Sequence, residues 1–204
     1  VATKLPVMSA AMPHVAHLAI RNKGTIGGSI SHADPAAELP MLTVFYDATI
    51  RVQGPDGRRD IAAGDFFVSA LANCLEPDEI VVEIEFPVLA SHTGWAFEEV
   101  ARRFGDFALA SIALSVERRG DEIADARVAV MGVADTPLRL FEAEASLRGV
   151  RAGSATAADF ADMVRASVSP NSDIHVSAEY RRSLVGALAE RAFIAAWQRA
   201  GRAS

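Results

Sequence analysis

The stretch from Phe107 to Val133 most constrains the fold. Ile112, Leu114 and Val116 alternate with Ala113, Ser115 and Glu117, the two-residue period of a half-buried strand. "RRGDE" (118–122) then reads as a hairpin turn, and "ADARVAVMGV" (124–133) as the returning strand. Upstream, "WAFEEVARR" (95–103) reads as a third strand. Helical patterns follow at about 137–147, 156–167 and 177–199; in the last, Leu184, Leu188, Ala192 and Ala195 recur at helical spacing. Strands followed by helices, rather than strict alternation, make the expected class α+β.

The region before Gly94 reads as a separate unit. Residues 5–19 predict a short helix interrupted at Pro13. "RNKGTIGGS" (21–29) is too rich in glycine for a helix interior and reads as a loop. Asp34 as N-cap and Pro35 at the first helical position predict a helix over "ADPAAELPMLTVFYDA" (33–48). "TIRVQGPDGRRDIAA" (49–63) predicts two strands around a Pro-Asp-Gly turn, and "DEIVVEIEFP" (78–87) a strand ending at Pro87. "PVLASHTG" (87–94) is the expected boundary, dividing the chain into units 1–88 and 94–204.

Composition removes several classes of function. A net charge of −6 argues against a nucleic-acid surface, which needs clustered Lys and Arg. The single cysteine, Cys74, excludes an internal disulfide and a Cys-based metal site within the chain, suits the cytoplasm, and reads as a small buried apolar residue. No apolar run is long enough to span a bilayer. The chain opens "VATKLPVM", without an initiator Met or a signal peptide, as expected of a processed chain or a fragment.

The chemistry-bearing block is "RNKGTIGGSISHADPAAELP" (21–40). Glycines sit where backbone N–H groups must approach a phosphate closely, so Gly27 and Gly28, with hydroxyls at Thr25 and Ser29, suit a diphosphate loop. The same residues equally suit a plain turn. Glu38 falls one residue late for a capping box with Asp34. It is a solvated first-turn carboxylate or an acceptor for ribose hydroxyls. His32 is a ligand contact or a surface polar residue. His14 and His17, spaced i, i+3, could share a metal, but Pro13 and the lack of a third ligand argue against it. Arg102, Arg103 and Asp106 follow a predicted strand and suit an anion, a partner chain or a solvated strand end. No nucleophile–base spacing supports hydrolase chemistry.

Three stretches together resemble one family. "IRNKGTIGGSISHADPAAELP" is similar to the second flavin-contacting segment of the FAD-binding medium subunit of molybdenum hydroxylases, which include aerobic carbon monoxide dehydrogenase and xanthine dehydrogenase. "GWAFEEVARRFGDFALASIAL" resembles the start of that subunit's C-terminal domain, and "SDIHVSAEYRRSLVGALAERA" its last helix. The resemblance implies the second half of a PCMH-type FAD-binding domain, with an antiparallel sheet and helices. A carbon monoxide dehydrogenase flavoprotein C-terminal domain follows, with a three-stranded antiparallel sheet plus helices.

It also implies an oxidoreductase subunit that carries electrons from iron–sulfur clusters through FAD to an acceptor. The partners would be an iron–sulfur small subunit and a molybdenum-binding large subunit, which hold those cofactors, in a dimer of heterotrimers. By resemblance Thr25, Ile26, Gly27, Gly28 and Ser29 lie against the FAD diphosphate, Glu38 contacts FAD, Val82 is an apolar position beside the flavin, and His32 and Asp34 belong to the same site. The family's other glycine-rich loop, Ala-Gly-Gly-x-Ser, is not in this sequence, so the site is expected to be incomplete in this chain. The alternative is a truncated assembly or interaction subunit that does not hold FAD by itself. The acidic Glu98, where xanthine dehydrogenases place a lysine near the flavin, points to the carbon monoxide dehydrogenase-like branch.

Overall fold

A computed structural model describes residues 3–201. The first unit opens with four helices: α1 (Pro6–Ala11), α2 (Leu18–Arg21), α3 (Ile26–His32) and α4 (Glu38–Phe45). Strands β1 (Thr49–Gly54) and β2 (Gly57–Ala62) follow, then α5 (Ala63–Phe66), β3 (Phe67–Ser69), β4 (Ala72–Asn73) and β5 (Ile80–Glu85). The predicted hairpin is present, with Gly54 facing Gly57 across the turn. Gly57 takes a φ of +120°, which only glycine adopts without strain. β5 joins the free side of β1, giving an antiparallel sheet in the order β2-β1-β5.

The second unit contains β6 (Thr93–Ala101), β7 (Ala108–Arg119), β8 (Glu122–Met131) and β9 (Leu138–Arg139), then α6 (Phe141–Leu147), α7 (Ser154–Ala166) and α8 (Ala178–Ala200). The three predicted antiparallel strands pair in sequence order, and a fourth, β9, is added at the edge. At two residues β9 is too short to leave a periodic signal, and its region was read as the start of a helix.

β7 is buried on both faces, not one. Ile112, Leu114 and Val116 pack in the cluster built with α6, α7 and α8. Ala108 and Ala113 pack with Val7, Met8, Met41 and Phe45 of α1 and α4. The small side chains on that second face leave room for the helices of the first unit. Every residue of α4 is buried, Glu38 and Thr43 included, as expected of a mostly apolar helix between two layers.

Helix α8 lies directly on β6. A Cβ at Gly94 would come within 1.9 Å of the Ala196 carbonyl oxygen and 2.4 Å of the Ala200 nitrogen, so the contact requires glycine. Among the described residues, no helix is long and apolar enough to cross a membrane.

Candidate functional site

The 21–40 block folds differently from its sequence expectation. The glycines are not in an open loop but in the first turn of α3. Thr25 is the N-cap, in extended conformation, and its hydroxyl accepts the Gly28 N–H at 2.9 Å. The Ser29 N–H donates to the Thr25 carbonyl at 3.1 Å. Two of the donors expected to face a phosphate are therefore used within the chain. The N–H groups left without an acceptor among the described residues are those of Ile26 and Gly27, as at any helix start. A Cβ at Gly27 would meet nothing within 4 Å.

Asp34 does not cap the next helix. Its Oδ1 accepts the Ala36 N–H at 2.8 Å, an Asx turn that competes with helix formation. Helix α4 begins at Glu38, with Ala37 as N-cap. Glu38 is thus a first-turn residue, and it is 6% exposed rather than solvated. Burial raises its carboxyl pKa, its own backbone N–H opposes that rise, and Asp34 adds to it.

These residues share one groove of about 770 Å³. Of the nine sequence-derived candidates, Thr25, Ile26, Gly28, Ser29, His32, Asp34 and Glu38 line it. Gly27 is not in its wall. Val82 lies on β5, 45% exposed and outside the groove. The groove gains residues that sequence reading did not assign to it. Arg21 and Lys23 lie on its N-terminal side, and Gly105, Asp106 and Phe107 come from the second unit. Of the last three, only Asp106 stands among the sequence candidates, as an anion or partner contact; Gly105 and Phe107 carry no local signal, because the β6–β7 connection reaches the groove only through tertiary packing.

That packing is close. Gly105, at φ +84°, sits where a Cβ would be 2.7 Å from the His17 ring. Arg21 Nη1 donates to the Val15 and Ala16 carbonyls at 2.6 and 2.7 Å, which fixes the loop before α2. Arg21 is therefore committed to backbone, whereas among the described residues no hydrogen bond or ion pair engages the Lys23 ammonium. Phe107 is 63% exposed at the rim.

Beside the groove lies a second acidic pair. Glu99 Oε1 is 3.3 Å from His14 Nδ1, and the Glu99 side chain is 3% exposed. Its Oε2 is buried without a hydrogen-bond partner among the described residues. Burial, with Glu38 adding, pushes the Glu99 pKa up to about 8. Burial also lowers that of His14, against an opposing pull from Glu98. Both shifts disfavour the charged forms, so burial works against an ion pair here. Glu98 points the other way, toward α8, and pairs with Arg191 at 2.8 Å. Among the described residues no group of three or more His, Cys, Asp or Glu could hold a metal. Cys74 is half-buried against the β1–β5 core.

The chain as a whole is similar to several known proteins. The family described as "FAD binding domain in molybdopterin dehydrogenase" matches residues 1–89, and that described as "CO dehydrogenase flavoprotein C-terminal domain" matches residues 95–196. The chain is 38% identical to the glyceraldehyde dehydrogenase medium chain of Sulfolobus acidocaldarius, over 95% of this chain and 68% of that one. It is 39% identical to the nicotine 6-hydroxylase medium subunit of Paenarthrobacter nicotinovorans, over 98% and 70%. A solved structure of carbon monoxide dehydrogenase from Hydrogenophaga pseudoflava superposes with a TM-score of 0.93 at 36% identity, covering 97% of this chain and 69% of that one.

Proposed function

Because this chain belongs to the family of FAD-binding medium subunits of molybdenum hydroxylases, we propose that its groove holds FAD and that the subunit relays electrons between partner chains and an acceptor. The observation that carries the site assignment is the convergence of seven residues, spread from Thr25 to Glu38, on one groove. They fit a flavin nucleotide chemically. The Ile26 N–H and the Lys23 ammonium suit the diphosphate. The buried Glu38 carboxyl suits ribose hydroxyls, and the exposed Phe107 ring offers an aromatic face. Val82, outside the groove, has no part in this reading.

When bound, FAD supplies the redox chemistry. The chain's own residues bind it, orient it and exclude water. Glu38, with a raised pKa, accepts hydrogen bonds as a carboxylate and can hold a proton where burial disfavours charge. The partners in this reading are an iron–sulfur small subunit and a molybdenum-binding large subunit, assembled as a dimer of heterotrimers in the cytoplasm.

The test is the flavin content of the purified enzyme, read from its visible absorbance. Gly28→Asp adds bulk and negative charge on the groove wall and should remove the flavin bands. Full flavin content in that variant overturns the assignment. A colourless wild-type protein that still co-purifies with its partners supports the assembly-subunit alternative instead.

A further inference from the structure

We infer that Arg181 is a positioning residue for the groove, holding two of its walls at a fixed separation. The inference rests on reading the groove as the flavin site. Arg181 lies in the first turn of α8, and its side chain is 11% exposed. One nitrogen, Nη1, donates to two backbone carbonyls, Leu109 at 2.6 Å and Gly132 at 2.7 Å. The other, Nη2, donates to Asp173 Oδ2 at 2.5 Å.

Each carbonyl leads to a groove wall. Leu109 is the second residue of β7, immediately after the wall segment Gly105–Phe107. Gly132 immediately follows β8, and its N–H donates to the Pro35 carbonyl at 2.9 Å. Pro35 adjoins Asp34, which lines the opposite wall. One guanidinium therefore joins the strand end carrying 105–107 to the strand end that anchors the α3–α4 link.

The strand ends are close enough to need glycine as well. Gly132 sits at φ +74°, and a Cβ there would lie 3.0 Å from the carbonyl oxygens of Ala108 and Leu109. Asp173 is itself fixed, since its Oδ1 accepts the His175 and Val176 N–H groups at 2.7 and 2.9 Å. The clamp is thus anchored at its outer end to a rigid turn. A planar fork reaches two carbonyls and a carboxylate at once, and a lysine ammonium, a point charge, does not hold the same geometry.

The experiment compares Arg181→Gln, Arg181→Lys and Val164→Ala in the purified enzyme complex. Val164 is fully buried in the α6–α8 core and lines no part of the groove, so Val164→Ala measures loss of stability alone. For each variant the unfolding temperature, the dissociation constant for FAD and the visible circular dichroism of the bound flavin are measured. Arg181→Gln should weaken FAD binding about tenfold, the scale of one lost charge-assisted hydrogen bond, and should change the dichroism band. Arg181→Lys should fall between it and wild type. Val164→Ala should lower the unfolding temperature with affinity and band unchanged.

Wild-type affinity and band in Arg181→Gln overturn the inference, as do equal flavin losses in Val164→Ala. Arg181→Lys is judged by the same two readouts should the glutamine variant not fold. Failure of the flavin-site reading is distinguishable, because Gly28→Asp would then keep its flavin whatever Arg181 does.

Discussion

Two adjacent glycines should behave oppositely on replacement by alanine. A Cβ at Gly28 would stand 2.8 Å from Thr25 Oγ1, about 0.6 Å inside ordinary contact. The threonine hydroxyl would have to rotate away, and it would then lose the 2.9 Å bond from the Gly28 N–H. That bond is the N-cap of α3, worth about 1 kcal/mol, within a range of roughly 0.5–2. A Cβ at Gly27 meets nothing within 4 Å. Both replacements gain helix propensity, up to about 1 kcal/mol each, so the difference between them isolates the cap. Gly27→Ala should be the more stable variant by about 1 kcal/mol in urea unfolding. A Thr25→Ala background, which has no hydroxyl to displace, should abolish the difference. Equal stabilities for the two variants, or a difference that persists without Thr25, would refute this account of the loop.

The Glu99–His14 pair predicts a pH effect. A carboxyl whose folded pKa is raised contributes stability below its unfolded value and loses it as pH rises to the folded value of about 8. The lowered pKa of His14 acts oppositely, costing stability as pH falls below its ordinary value of 6.5. Glu38 acts in the same direction as Glu99. Between pH 6.5 and 8, Glu99→Gln should therefore flatten the decline in stability seen in wild type by at most about 1.4 kcal/mol per pH unit; identical slopes in thermal or urea unfolding would contradict it. At Gly94, alanine would push its Cβ against the backbone of α8 at 1.9 Å. Gly94→Ala should therefore cost about 1–3 kcal/mol or more, and an unfolding midpoint equal to wild type would show that the close contact is not real.

Much of the fold was legible because local pattern and tertiary environment agree. The β7–β8 hairpin and α8 follow from periodicity, and the β1–β2 turn from its Pro-Asp-Gly. Where they differ, a specific competitor won. Asp34-Pro35 carries the signature of a helix start, yet the Asp34 carboxylate closes an Asx turn and α4 starts four residues later. The glycines of α3 sit in a first turn, where the cap rather than propensity decides. Seven groove-lining residues from Thr25 to Glu38 stand in the block named by the family resemblance. The burial of Glu38, the contact of Glu99 with His14 and the approach of Gly105 and Phe107 were not legible, because each depends on chain segments brought together from far apart. Val82 shows the reverse case, a residue named by resemblance that the groove does not include.

The most direct test of the central claim is an experimental structure of the purified enzyme with FAD bound. A diphosphate oxygen should lie about 3 Å from the Ile26 nitrogen, with the ribose against Glu38 and the flavin entering the groove beside Phe107. A diphosphate bound away from the start of α3, for instance along β5 near Val82, would contradict it.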